Sequence, residues 1–116
     1  MKKCVDYFKE AEFLEEALNK VTHIKTEELG SDVYYFKSGQ VLDFHRHKSD
    51  QIFFVLKGEG TFYLEDQDGN TEQYDVRPGF SMLAPKTVWH KLVNTGSDEL
   101  IAVQVTYLPT DLEQKK

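Results

Sequence analysis

His45 and His47, one residue apart, with Gln51 shortly after and His90 far downstream, are the residues of this chain best suited to chemistry, because each offers a neutral donor atom to one divalent metal ion. Three of the four histidines of the sequence fall in this set. On an extended strand successive side chains alternate faces, so His45 and His47 point the same way and their imidazoles can share an ion. A helix would need histidines at i and i+4 for the same convergence, and no such pair occurs. Taken alone, an alternating His-x-His on a half-exposed strand is equally a pair of polar residues facing water.

The stretches that must position these residues read as strands. Residues 33–37, 41–47, 51–57, 61–66, 71–76, 80–83, 88–93 and 100–107 have strand lengths and are separated by Gly, Pro and Asn signals, among them Asp68-Gly69, Arg77-Pro78-Gly79 and Asn94-Thr95-Gly96. Many short strands mean a sandwich or barrel. Strict alternation puts Asp43 on the face of His45 and His47, with Leu42 and Phe44 on the other. Gln51, Phe53 and Val55 share one face of the next strand, and Ile52, Phe54 and Leu56 share the opposite one, so this strand expects cover on both sides. Asp50 is anionic and adjacent to Gln51, but parity turns it away unless a bulge intervenes.

Ahead of the strands, Phe8, Ala11, Leu14, Ala17, Leu18 and Val21 recur at three- and four-residue steps, which predicts an amphipathic helix over 6–21, capped by Asp6. Leu29-Gly30-Ser31-Asp32 reads as the loop that follows it, and His23, between the two, as an ordinary surface histidine. The domain reading is an amino-terminal helix and linker at 1–30, a barrel at 31–110 and a tail at 111–116.

Composition narrows the function classes. At 116 residues the chain is long enough for one core and too short for two. A net charge of −6, with no basic block before Lys115-Lys116, argues against a nucleic-acid partner. The longest apolar runs are strand-sized and the first residues are no signal peptide, so neither a membrane partner nor export is expected, and the cytoplasm is the expected compartment. Cys4 is the only cysteine, which excludes an internal disulfide and a thiolate-rich metal site.

Two longer spacings add to this. Gly39, His45, His47, Gln51 and Gly58 follow G-x5-H-x-H-x3-E-x6-G with Gln in place of Glu, and Gly79, Pro85, His90 and Asn94 follow G-x5-P-x-G-x2-H-x3-N with Thr87 in place of the second Gly. In these motifs the chain resembles the cupin superfamily, as a small single-domain member over about 33–109. The resemblance implies an all-β fold, the cupin double-stranded β-helix or jelly-roll barrel, to which the periodicity above adds the amino-terminal helix. It also implies one divalent ion per chain (Zn, Ni, Mn, Co or Fe) held by His45, His47, Gln51 and His90, with affinity falling as pH drops through the ordinary histidine value of about 6.5. Phe53, Phe62, Met82 and Val88 are expected to wall the pocket. Gly39, Gly58 and Gly79 are expected to serve turns or close backbone approach. A homodimer is expected, because Leu42, Phe44, Ile52, Phe54 and Leu56 need cover and small cupins commonly pair through sheet faces.

Gln51 is the informative departure, since a neutral ligand leaves the dication uncompensated and favours Lewis-acid chemistry on an anionic substrate. Gln51 is alternatively a lumen amide that does not reach the ion. A three-histidine, one-glutamine set is similar to that of uronate-linearising and polyketide-cyclising cupins. The former carry an aspartate and an arginine around the end of the last strand, whereas Val105, Tyr107 and Pro109-Thr110 stand here and no arginine follows Arg77. The expected activity is that of an isomerase, cyclase or lyase on a small oxygen-rich acid or polyketide-like compound. The alternatives are a quercetin-type dioxygenase and a non-catalytic module that binds or senses a small ligand. Asp43, Tyr35, Tyr63 and Gln104 are the residues available for acid–base work, each with a plain packing role as its other reading.

Overall fold

The structure, a computed structural model, describes residues 2–109 and 111–115. Met1, Thr110 and Lys116, where the ends of the expected segments and one residue of the last-strand comparison fall, lie outside the described residues. In chain order the strands are β1 (Asn19–Lys25), β2 (Leu29–Phe36), β3 (Val41–Arg46), β4 (Gln51–Lys57), β5 (Gly60–Glu65), β6 (Thr71–Val76), β7 (Ser81–Ala84), β8 (Trp89–Val93), β9 (Leu100–Tyr107) and β10 (Glu113–Gln114). They form two antiparallel sheets, ordered β1-β2-β9-β4-β7 and β10-β3-β8-β5-β6. Between the sheets lies an apolar core that includes Tyr34, Phe36, Phe53, Phe62, Leu92 and Leu100. This is the expected all-β double-stranded β-helix, a jelly-roll in which β3 pairs with β8 and β4 with β9 across long stretches of sequence.

The amino-terminal helix does not form, and no helix occurs among the described residues. Asp6 does cap a turn, its carboxylate accepting from the backbone N–H groups of Phe8 and Lys9, but the chain then opens out. Glu12 and Glu16 would repel at i and i+4, and an isolated helix of this length is marginal in water. Tertiary pairing offers more. Tyr7, Ala11 and Phe13 lie on the outer face of the first sheet against Val33, Tyr35 and Ile101, while Phe8 and Leu14, expected on the buried helix face, are exposed. Residues 19–21 leave the expected helix and, with 22–25, become edge strand β1. Leu29-Gly30-Ser31-Asp32, expected as a loop, lies within β2 and is bonded to β9 from Leu29↔Tyr107 to Asp32↔Gln104. At the other end, part of the expected tail is β10, paired with β3 through Glu113↔Arg46 and Gln114↔His45.

Strict alternation also fails in β3. Leu42 lies opposite Leu92 and His45 opposite His90, with a register shift between them. Since directly opposed residues share a face, this bulge turns both Leu42 and His45 inward. Leu42 accordingly packs on the inner core, and Asp43, exposed, uses its carboxylate to accept from the Phe44 N–H. Phe44 does face outward, where the ammonium groups of Lys91 and Lys115 lie 4.8 and 5.1 Å from its ring centroid. Lysine ammonium groups, rather than a helix, lie over it.

Thr87, which stands where the second motif has glycine, takes φ +66°. This is left-handed backbone that a β-branched residue adopts only at a cost. The turn is held there because Thr87 N–H donates to the His47 carbonyl (2.8 Å) and Lys86 N–H to Asp50 Oδ1 (2.8 Å), tying the approach to β8 onto the exit from β3. Thr87→Gly keeps the first of these bonds and relieves the strain. It is expected to raise stability by about 1 kcal/mol, read as a higher urea midpoint at unchanged m-value.

Candidate metal centre

The register His45↔His90 brings two imidazoles together across adjacent strands, their planes tilted by 59°, and His47 follows one residue beyond β3. Ring centroids are 4.1 Å apart for His45 and His90, 5.1 Å for His45 and His47, and 5.8 Å for His47 and His90. One ring nitrogen from each lies within 4.8 Å of the others, close enough for all three to hold one metal ion. All three residues are buried. Behind them stand Phe53 and Phe62, with ring centroids 5.6 and 6.3 Å from that of His90.

Protonation fits the same use. His45 Nδ1 lies 2.8 Å from the Asp43 carbonyl, which can only accept, so Nδ1 carries the proton and Nε2 keeps its lone pair. His90 has no well-formed hydrogen bond among the described residues, the backbone of Val88 being the one polar group that bears on its ring besides the other histidines. Burial holds the pKa of His45 below the ordinary histidine value, with Lys20 adding to the effect against the Asp43 bond. Burial, reinforced by His45 and His47 and opposed by the Val88 backbone, lowers that of His90 to about 3. Competition between protons and metal, expected near pH 6.5 from the sequence, is therefore moved to lower pH.

The same shift predicts the acid response of the metal-free chain. Below about pH 6.5 the unfolded chain protonates this histidine while the folded chain does not until about pH 3. The unfolded state thus binds more protons in that window, and stability falls as pH falls, by about 1.4 kcal/mol per pH unit for one such group. Urea titrations between pH 7 and 5 are expected to show a loss of about 2 kcal/mol; a flat profile contradicts neutral burial.

Gln51, at the start of β4, is buried and lines a cavity of about 770 Å³ with His47, Gln104 and Thr106. Its Nε2 donates to Thr106 Oγ1 at 3.1 Å, and its Oε1 accepts from Gln104 Nε2 at 2.5 Å. Of the four residues considered for acid–base work, Gln104 is in the cavity lining and the others lie elsewhere. Tyr35 is on the outer core, donating to the Tyr7 carbonyl. Tyr63 lies beneath Lys91, and Asp43 is exposed. Phe53, Phe62 and Met82 belong to the core behind the histidines, with Val88 packed against it, and do not line this cavity. Its mouth is polar instead.

Lys20, Lys25, Glu27 and Asp32 form much of that mouth, with His23 beside them. Lys20 lies 3.8 Å from Asp32. His23, expected as a plain surface residue, is half-buried at the register shift of β1, its ring centroid 6.3 Å from that of Tyr7 and its Nε2 without a hydrogen bond. A helix-and-loop reading of 6–32 hid these residues. The signal for β1 was present in β-branched Val21, Thr22 and Ile24.

Residues 32–106 match the family model of the Cupin domain. Among characterised sequences the chain is 34% identical over 73 residues to auxin-binding protein T92 of Nicotiana tabacum, covering 59% of this chain and 39% of that protein. It is 25% identical over 61 residues to acireductone dioxygenase of Bacillus cytotoxicus, covering 53% and 36%. The chain thus spans about two fifths of the length of these relatives. A Klebsiella pneumoniae protein with a double-stranded β-helix domain superposes with a TM-score of 0.88 at 14% identity, covering 100% of this chain and 99% of that one.

Proposed function

Since the chain belongs to the cupin family, we propose that His45, His47 and His90 hold one divalent ion, with Gln51 beside it, and that the ion acts as a Lewis acid on a small anionic, oxygen-rich ligand. The observation that carries this reading is His90: two buried nitrogens without a well-formed hydrogen bond, with only the Val88 backbone bearing on them, set against two further imidazoles. Such a group costs about 1–3 kcal/mol if left unmet, and a metal supplies the partner. An all-nitrogen set with an amide nearby suits Zn, Ni, Co, Mn or Fe(II).

Charge favours an anion. Lys20 and Lys25 balance Glu27 and Asp32 at the mouth, so a bound dication leaves the cavity positive. No carboxylate joins the histidine cluster among the described residues. A neutral ligand set supports isomerase, cyclase or lyase chemistry over oxygen activation, where an anionic ligand would stabilise the higher oxidation state.

A second reading, a module that captures a small ligand without turnover, draws on the hydrogen-bonded groups beside Gln51. Gln104 and Thr106 do not titrate, and burial, with help from Asp32, raises the pKa of Tyr34 well above its ordinary value. Metal analysis of the purified chain, followed by binding and turnover assays on uronates, hydroxy acids and flavonols, separates the readings. Turnover supports the first; ligand binding without turnover supports the second; a chain that takes up no divalent metal defeats the metal reading.

Homodimerisation belongs to the same proposal. Ile52, Phe54 and Leu83 are 44%, 41% and 54% exposed on the outer face of the first sheet, and a second copy would remove them from water. Light scattering on a sizing column is expected to give twice the chain mass, and a monomer at micromolar concentration rejects it.

A further inference from the structure

Hydrogen-bond polarity runs in one direction through the buried wall of the cavity. Thr106 Oγ1 donates to the Tyr107 carbonyl (3.0 Å), which can only accept, so its oxygen remains as the acceptor for Gln51 Nε2 (3.1 Å). With its nitrogen so placed, Gln51 turns Oε1 to Gln104, whose Nε2 donates to it (2.5 Å). Gln104 must then offer its own Oε1 to the other side, where the Tyr34 hydroxyl donates (3.2 Å). Tyr34, Gln51 and Gln104 are each at most 2% exposed. Reversing Gln51 alone therefore sets NH2 against NH2, and reversing Gln104 alone sets oxygen against oxygen.

Gln104 occupies one lone pair of Gln51 Oε1 and leaves the other. We propose that Gln104 is a positioning residue: by donating to Gln51 Oε1 it fixes which end of that amide is an acceptor, so that an ion on His45, His47 and His90 meets an amide oxygen and not an amide NH2. The inference rests on reading the histidine cluster as a metal centre. It assigns the Tyr34–Gln104 pair a purpose beyond filling the core, because a Leu–Phe pair fills space equally well and sets no polarity.

A carboxylate at position 51 presents oxygen on both sides, so orientation then ceases to matter, and this makes the test. Co(II) is titrated into the full chain and into Gln104→Leu, Gln51→Glu and the double variant, following the visible absorption of the bound ion, with circular dichroism to establish folding. Gln104→Leu is expected to weaken Co(II) binding about 10–100-fold in the wild-type background and to change the spectrum. In the Gln51→Glu background it is expected to leave affinity within about twofold. Equal losses in both backgrounds mean that Gln104 only fills space and overturn the proposal. Co(II) binding that His90→Leu abolishes but Gln104→Leu leaves unchanged overturns the proposal while sparing the metal centre. No Co(II) binding by the wild-type chain overturns both. If Gln104→Leu does not fold, Thr106→Val frees the nitrogen end of the same chain of bonds, and the same dependence on background is expected.

Discussion

His90→Leu is expected to make the metal-free protein more stable and the metal-loaded protein less so. The imidazole sits 1% exposed with no well-formed hydrogen bond and only the Val88 backbone bearing on it, against Phe53 and Phe62. Leucine fills a similar volume without a polar group, so the free chain gains about 1–3 kcal/mol, the cost of the unmet imidazole. The gain is larger below pH 6.5, where the unfolded wild type gains from a proton that the fold refuses. With a divalent ion at about a thousand times its dissociation constant, wild type gains about 4 kcal/mol that the variant forgoes. Melting curves with and without Zn(II), Ni(II) or Co(II) measure both effects. A variant whose metal-dependent shift equals that of wild type would remove His90 from the site, and a destabilised free variant would mean that the imidazole has a partner in solution.

Gly58→Ala is expected to be the most damaging single-methyl change among the motif glycines. Gly58 has φ +81°, and a Cβ there would stand 2.1 Å from the Glu99 carbonyl oxygen and 2.9 Å from the Leu100 Cα, both backbone atoms. The turn from β4 to β5 and the start of β9 would have to separate. The left-handed backbone alone costs about 1–2 kcal/mol, and with the displacement the loss exceeds about 3 kcal/mol. Gly39 is the control, since it has φ +82° but nothing within 4 Å of the added atom. Gly39→Ala should therefore cost only the conformational part, about 1–2 kcal/mol. Urea midpoints of the two variants measured side by side check this, and equal losses would mean that steric approach at Gly58 is relieved by a small shift.

Much of the barrel was legible because its strands carry local signals that agree with the fold. Three expected strands, 51–57, 71–76 and 100–107, coincide with the observed ones, each with Gly, Pro or a charged residue within two positions of either end. The helix at 6–21 was misread because its three- and four-residue spacing is a local signal, while β1 exists only by pairing with β2, from Asn19↔Tyr35 to Lys25↔Gly30. The β-branched signal of Val21, Thr22 and Ile24 was outweighed by that spacing, because only the pairing with β2 decides between the two. The mouth residues Lys20, Lys25 and Asp32 were lost with it. Leu42 was misassigned for a smaller reason, one extra residue in β3, which reverses the parity of everything before it.

The sequence by itself determined the all-β class, the turn glycines and the histidines worth watching, because residue type and spacing dictate backbone preference and donor chemistry wherever they stand. Only the tertiary structure decided that a bulge turns His45 inward opposite His90, that burial keeps His90 neutral, and that Thr106, Gln104 and Tyr34 set the direction of the Gln51 amide. These depend on what lies across a sheet or behind a side chain, and residues as distant as Tyr34 and Gln104 meet only when the two strands pair.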